Sequence, residues 1–288
     1  MDRIELKAHG KVNLALDVLG RRPNGYHDVK MVMQSLEIYD DVSVEKTEEA
    51  GIVVTTNRPD LPVDRSNLAY KAADMLLSEF GIQEGVKIHL EKHIPVAAGM
   101  AGGSTDGAAV LIGVNEIFEL GLTEQELRDR GVKLGADVPY CIMQGTVLAE
   151  GIGEELSRLA PMPQCHVLLA KPPVGVSTKI VYEKLDSYEG YAHPDVDAVV
   201  GGLKEGNLAK ITSNMGNVLE QVTADMYPEI TRIENLMKEC GALNSMMSGS
   251  GPTVFGIYDK EETAMKAMEV MKESGLANEI RVVGVYNR

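Results

Sequence analysis

Pro95-Val96-Ala97-Ala98-Gly99-Met100-Ala101-Gly102-Gly103-Ser104-Thr105-Asp106 is the stretch on which the reading of this chain turns. It lies between two patterned segments. Before it, Val86, Ile88 and Leu90 alternate with Lys87, His89 and Glu91 over Val86 to His93, the period of a half-buried strand. After it, Ser104 to Phe118 is apolar and alanine-rich, which predicts a buried helix. A glycine-rich turn from strand to helix lets backbone approach a ligand closely. The helix start adds unpaired amides and the positive end of a dipole, together an anion site. Ser104 and Thr105 bring hydroxyls suited to phosphate or magnesium. No GxxxxGK[ST] is present, so this is not a Walker loop. Nor is there a GxGxxG with a following strand and acid, which excludes a dinucleotide fingerprint. Read alone, the segment is equally a glycine turn with a serine cap.

Working outward, the N-terminal half opens with strands over Arg3 to His9 and Lys11 to Leu19, then turn chemistry at Arg21-Arg22-Pro23-Asn24-Gly25. Further strands are expected over Val29 to Ile38, Asp41 to Lys46 and Ile52 to Thr56, and a helix from Ser66 to Phe80 stopped by Gly81. Thr123 and Glu126 have the spacing of a capping box. Pro161 and Pro163 mark a boundary between domains 1–162 and 163–288. Beyond it come a strand at His166 to Ala170, several helices, and a strand from Thr253 to Tyr258. A helix from Glu261 to Glu273 and a strand from Ile280 to Val285 close the chain. The mixture in both halves predicts two α+β domains. Met265, Met268 and Met271 have helical spacing and are read as core. Ser248-Gly249-Ser250-Gly251-Pro252, ahead of the Thr253 strand, is by itself an ordinary loop.

Composition narrows the function. The 288 residues carry 43 acidic against 28 basic side chains, a net charge of -15. That argues against nucleic acid or an anionic membrane as partner. The three cysteines are scattered, with neither a disulfide framework nor zinc spacing. No signal-peptide pattern or membrane-length apolar run occurs, and a cytoplasmic location is expected.

Taken together, the two glycine segments resemble the phosphate loop and the C-terminal glycine loop of the GHMP kinases, the galacto-, homoserine, mevalonate and phosphomevalonate kinase superfamily. Lys11-Val12-Asn13-Leu14-Ala15-Leu16, Arg22-Pro23-Asn24-Gly25-Tyr26-His27 and Gly135-Ala136-Asp137-Val138-Pro139 point to a member acting on a cytidine diphosphate derivative. The resemblance implies a ribosomal protein S5 domain 2-like N-terminal domain and a ferredoxin-like C-terminal domain, with the site in the cleft between them. It implies ATP and Mg²⁺, with the metal ligands unknown, and a monomer or homodimer. Asp137 and Lys11 match the catalytic positions, the acid to receive the hydroxyl proton and the lysine to keep it ionised. Pro95, Val96, Ala97, Ala98, Gly99, Met100, Ala101, Gly102, Gly103, Ser104 and Thr105 match the phosphate loop. Asn67, Leu68 and Lys92 match the adenosine pocket. Asn13, Tyr26, His27, Thr178 and Tyr182 match substrate positions. Tyr26 and Tyr182 are the aromatic walls for the cytosine, and His27 reads its edge. Ala101, Thr105 and Met100 replace the family's common glycine, serine and leucine, and Ala101 is strained if its φ is positive. Without the family, Asp137 reads as a turn or cap residue and Lys11 as a solvated lysine. Other GHMP kinases and a non-catalytic nucleotide-binding regulator are the alternatives; ADP formation separates the last from an enzyme.

Overall fold

The structure is a computed structural model and describes residues 1–188 and 190–288. The chain forms two compact units. The first comprises Met1–Gly10, Ile38–Val96 and Ala101–Gln144; the second comprises Lys11–Glu37, Ala97–Met100 and Gly145–Arg288. Two long strands, β1 (Arg3–Arg21) and β2 (His27–Thr47), contribute to both.

In the first unit these strands are joined by β3 (Ile52–Thr56), α1 (Leu68–Glu79), β4 (Gly85–Glu91), α2 (Gly102–Ile117), α3 (Glu124–Gly131) and α4 (Val138–Met143). The sheet order is β3-β4-β2-β1. β4 runs antiparallel to β2, with Val44 opposite Ile88, and parallel to β3. Helix α1 buries Ala69, Ala72, Ala73, Leu76 and Leu77, the i, i+3, i+4 stripe of a helix with one apolar face. Helix α2 buries almost its whole length, and small residues let it approach its neighbours. A Cβ on Gly107 would sit 3.3 Å from the Leu68 Cβ, and one on Gly113 only 2.8 Å from the Val44 Cγ2. The capping box between Thr123 and Glu126 is formed.

The head of α2 is fastened by a buried ionic cluster. The Lys92 ammonium lies between Asp40 of β2 and Asp106 of α2, with all three side chains at most 5% exposed. The other Asp40 oxygen accepts the His93 and Ile94 amides at 2.5 and 2.8 Å, so one side chain terminates β4 and anchors the cation. Removing one partner of such a buried pair costs about 3–5 kcal/mol.

The second unit adds β5 (Thr146–Glu150), β6 (Glu155–Arg158), β7 (His166–Lys171), α5 (Thr178–Leu185), α6 (Val196–Glu205), α7 (Leu208–Ser213), β8 (Gly216–Asn217), α8 (Val218–Met226), α9 (Glu229–Glu239), β9 (Asn244–Met247), β10 (Val254–Tyr258), α10 (Glu261–Ser274) and β11 (Glu279–Gly284). β5 pairs with β2 and β6, and β8 pairs parallel with β1 at Ala15 and Leu16. The last four strands form a separate antiparallel sheet in the order β11-β7-β10-β9. With helices between its first and second and its third and fourth strands, this is the ferredoxin-like arrangement. No helix among the described residues is long and apolar enough to cross a membrane.

Several local expectations need correction. Gly10 does not end a strand: β1 runs through it, and glycine there avoids crowding Ile94 and Ile38, which a Cβ would meet at 3.3 and 3.4 Å. The strands expected on either side of Asp40 are one strand, because the Asp40 side chain turns inward to the Lys92 cluster. Helix α2 begins two residues early, at Gly102. Met271 is core, but Met265 is 42% exposed; α10 packs through Ala264, Ala267 and Met271 instead.

Burial pushes the Asp106 carboxyl up to about 7, opposed by the Lys92 charge and reinforced by Asp40. A carboxyl raised on folding keeps a proton that the unfolded chain has released. Its contribution to stability is complete below the ordinary value of 3.8 and is lost as pH rises through about 7. Thermal melts of wild type and Asp106→Asn between about pH 4 and about pH 8 should therefore diverge, the variant gaining relative stability as pH rises. A constant difference in melting temperature across that range would exclude a raised Asp106.

Candidate active site

In the first unit, the anion-binding features converge on the start of α2. Ala101 caps the helix in the left-handed region, at φ 59° and ψ 24°. The positive φ that makes Ala101 strained is thus present. The first intrahelical bond runs from the Thr105 amide to the Ala101 carbonyl, so the amides of Gly102, Gly103 and Ser104 precede it. Gly103 is exposed; a Cβ there would have only the Leu68 Cδ1 nearby, at 3.9 Å. That open space beside three helix-start amides is what a phosphate group requires. The Thr105 Oγ1 and the Asp106 Oδ1 are buried without a hydrogen-bond partner.

Three neighbours have defined structural tasks. Asn67 caps α1: its Oδ1 accepts the Ala69 amide at 2.9 Å, and its Nδ2 donates to the Pro62 carbonyl at 2.7 Å. Leu68 lies beside Gly103 and Gly107. The Lys92 ammonium donates to Asp40 and Asp106, and to the Gly102 carbonyl at 3.4 Å. Asp137 is half-buried at the N-terminus of α4, in helical conformation (φ -80°, ψ -15°), and its carboxylate does not cap the helix.

In the second unit, Lys11 and Asn13 point the same way from β1, two residues apart as strand geometry requires. Both are buried, and the Lys11 Nζ donates to the Asn13 Oδ1 at 2.7 Å. Asn13 in turn donates to the Met31 sulfur at 3.3 Å. The second glycine loop lies against this pair. A Cβ on Gly249 would be 3.5 Å from both the Lys11 Nζ and the Asn13 Oδ1, and 3.2 Å from the Gly99 carbonyl oxygen. Gly99 itself has φ +71°, and a Cβ there would lie 2.2 Å from the Ser248 carbonyl oxygen. The Ser248 hydroxyl donates to the Gly99 carbonyl at 2.9 Å.

His27 and Tyr182 also come together, with ring centroids 4.8 Å apart. The His27 Nε2 lies 2.6 Å from Asp186, which also pairs with Arg21 at 3.2 Å. The Tyr26 ring is 57% exposed. The Thr178 hydroxyl lies 2.7 Å from that of Ser250, joining α5 to the glycine loop. Asp186 is the residue that sequence reasoning missed. Its only signal is a position four residues beyond Tyr182, on the same helical face.

Comparison with known proteins places the chain in a family. The family profile described as GHMP kinases N terminal domain matches residues 67–145, and GHMP kinases C terminal matches 199–276. A protein of Lachnospira eligens named 4-diphosphocytidyl-2-C-methyl-D-erythritol kinase is 51% identical, covering 97% of each chain. One of the same name from Caldicellulosiruptor bescii is 50% identical over 93% of this chain and 94% of its own. A crystal structure of 4-(cytidine 5'-diphospho)-2C-methyl-D-erythritol kinase superposes with a TM-score of 0.84 at 30% identity, covering 99% of this chain and 100% of that one. With both GHMP kinase halves matched and half of all residues shared with such relatives along nearly the full length, the chain belongs to the 4-diphosphocytidyl-2-C-methyl-D-erythritol kinase family of GHMP kinases.

Proposed function

We infer that the chain transfers the terminal phosphoryl group of ATP to the 2-hydroxyl of 4-diphosphocytidyl-2-C-methyl-D-erythritol, giving the 2-phosphate and ADP in the non-mevalonate route to isoprenoid precursors. In this reading residues 1–162 carry the phosphate loop and catalytic acid, and 163–288 complete the substrate site. The observation that carries the substrate assignment is the His27–Asp186 hydrogen bond beside Tyr182. A carboxylate only accepts, so Asp186 holds an N–H at the His27 Nε2. With Nε2 so engaged, Nδ1 is the ring nitrogen left to meet a base edge, and in the neutral tautomer it is an acceptor. The exocyclic amine of cytosine donates there; the O4 of uracil cannot. The His27 and Tyr182 rings lean on one another and form one platform, while the exposed Tyr26 supplies a second aromatic face.

The amides of Gly102, Gly103 and Ser104 are assigned to the ATP phosphates, with Pro95 to Met100 shaping the approach and Asn67, Leu68 and Lys92 flanking the nucleoside. Backbone dipoles answer the problem that a net charge of -15 poses for binding an anion. Among the described residues no cluster of three acidic, histidine or cysteine side chains could cage a metal. Mg²⁺ arriving with ATP needs only one or two protein oxygens, and the Ser104 hydroxyl and the unpartnered oxygens of Thr105 and Asp106 are hard donors of that kind. Once bound it would neutralise charge on the transferring phosphoryl group. Asp137 takes the role of proton acceptor, Lys11 that of activating cation and Asn13 that of orienting the acceptor end of the substrate. Thr178 belongs to the cytidyl side.

A coupled ADP-release assay across the cytidyl substrate, homoserine and mevalonate tests the assignment; turnover of only the latter two would overturn it. Gly103→Val should fill the open space beside the helix-start amides and weaken ATP binding in a folded protein, as read by calorimetry. Asp137→Asn should lower kcat by about 10²–10⁴-fold with little change in substrate KM, the scale of general-base loss. Near-normal kcat in that variant removes Asp137 from the chemistry. Tyr182→Ala should raise KM for the cytidyl substrate roughly ten- to a hundredfold and leave KM for ATP alone, since stacking is worth about 1–3 kcal/mol per aromatic. Equal losses for both substrates would mean that Tyr182 serves packing only.

A further inference from the structure

Helix α8 addresses the second glycine loop with three side chains on successive turns. Asn217, at its start, donates from Nδ2 to two carbonyls, Met247 at 2.9 Å and Gly249 at 2.7 Å, while its Oδ1 accepts the Leu219 amide at 3.0 Å. Glu220 accepts the Met247 amide at 2.6 Å. Thr223 reaches the Ser250 carbonyl at 3.4 Å. The backbone from Met247 to Ser250 is therefore held from behind by side chains that touch neither Lys11 nor Asn13. Its opposite face is the Gly249 Cα, whose missing Cβ leaves the approach to Lys11, Asn13 and the Gly99 carbonyl.

We propose that Asn217 and Glu220 are positioning residues for phosphoryl transfer, setting Gly249 and, against it, the Lys11–Asn13 pair. This rests on the kinase reading above. The burial of the supports is what makes them rigid. Asn217 is 7% exposed, and so is Glu234, the partner of Glu220 on α9. Burial, then the Glu220 charge, pushes the Glu234 carboxyl up to about 9, and Glu220 is raised in turn by its own burial. Lys238 pulls both down. Burial thus disfavours charge on both carboxyls, while Glu220 accepts from the Met247 amide. A purely structural alternative exists: Asn217 caps α8, and serine or aspartate would cap it as well.

That alternative decides the experiment. Asn217→Ser and Asn217→Asp retain a helix cap but lose the two amide donations to the loop. Steady-state kinetics should show kcat lowered about ten- to a hundredfold in folded protein, with KM for ATP within about threefold, because sub-ångström displacement of reacting groups costs rate before it costs affinity. Glu220→Ala should show the same split, and Glu220→Gln, which retains an acceptor oxygen for the Met247 amide without a charge, should recover kcat to within about twofold of wild type. Lys11→Met is the control for the underlying reading. If Asn217→Ser keeps full kcat while Lys11→Met loses it, the positioning role is wrong and the kinase site stands. If Glu220→Ala and Glu220→Gln behave alike, Glu220 is not acting through Met247. If Lys11→Met retains full kcat, the assignment of Lys11 falls and the positioning role falls with it.

Discussion

At Gly99 there is no room for a side chain. The Ser248 carbonyl oxygen would stand 2.2 Å from a Cβ, and the Gly251 amide and carbonyl close the space further, at 3.2 and 3.1 Å. Two loops 149 residues apart in sequence are thereby keyed into one another, and the Ser248 hydroxyl locks the fit by donating to the Gly99 carbonyl. Much of the second unit is organised around this contact. β9 and β10 exist to bring Ser248 to Pro252 to that point, and α8 braces it. Lys11 and Asn13 are seated on its far side. Either glycine segment alone is an unremarkable turn; the steric constraint makes them one object.

The cationic side chains follow a different logic. Lys92 is among the few buried lysines, and its ammonium is enclosed between the carboxyl groups of Asp40 and Asp106. Its work is mechanical: it joins the end of β4 to the head of α2. The price is one carboxyl held near neutrality, since burial outweighs the attraction of a single shared ammonium. In a second buried carboxyl pair, Glu220 and Glu234, burial likewise raises both groups. In both places an acidic chain packs carboxyls inward at points where backbone must be held.

How much of this could be read beforehand depended on range. Strand alternation at Val86–Leu90, the capping box at Thr123 and the glycine loops were visible because each is a local pattern. The class of fold and the family followed from motif order. The continuity of β1 and β2 was hidden, because Gly10 and Asp40 look like interruptions until Ile94 and Lys92 are placed against them. β5, β6, β8 and β9 were missed, the last because Asn-Ser-Met-Met has no strand period and is a strand only through pairing with β10. Asp186 and Asn217 were silent: neither lies in a recognisable motif, and their hydrogen-bond partners are 30 or more residues away. The positive φ of Ala101, by contrast, could be anticipated from the residue that stands in place of glycine.

Ala97 and Ala101 both occupy the left-handed region. An L-residue there costs roughly 1–2 kcal/mol. The loop is thus a locally frustrated segment, kept in shape by the elements on either side of it. Drift at these two codons is consequently one-sided. Glycine would relax the backbone, whereas any β-branched residue would deepen the strain, so relatives should populate these positions with glycine, alanine and asparagine and avoid valine, isoleucine and threonine.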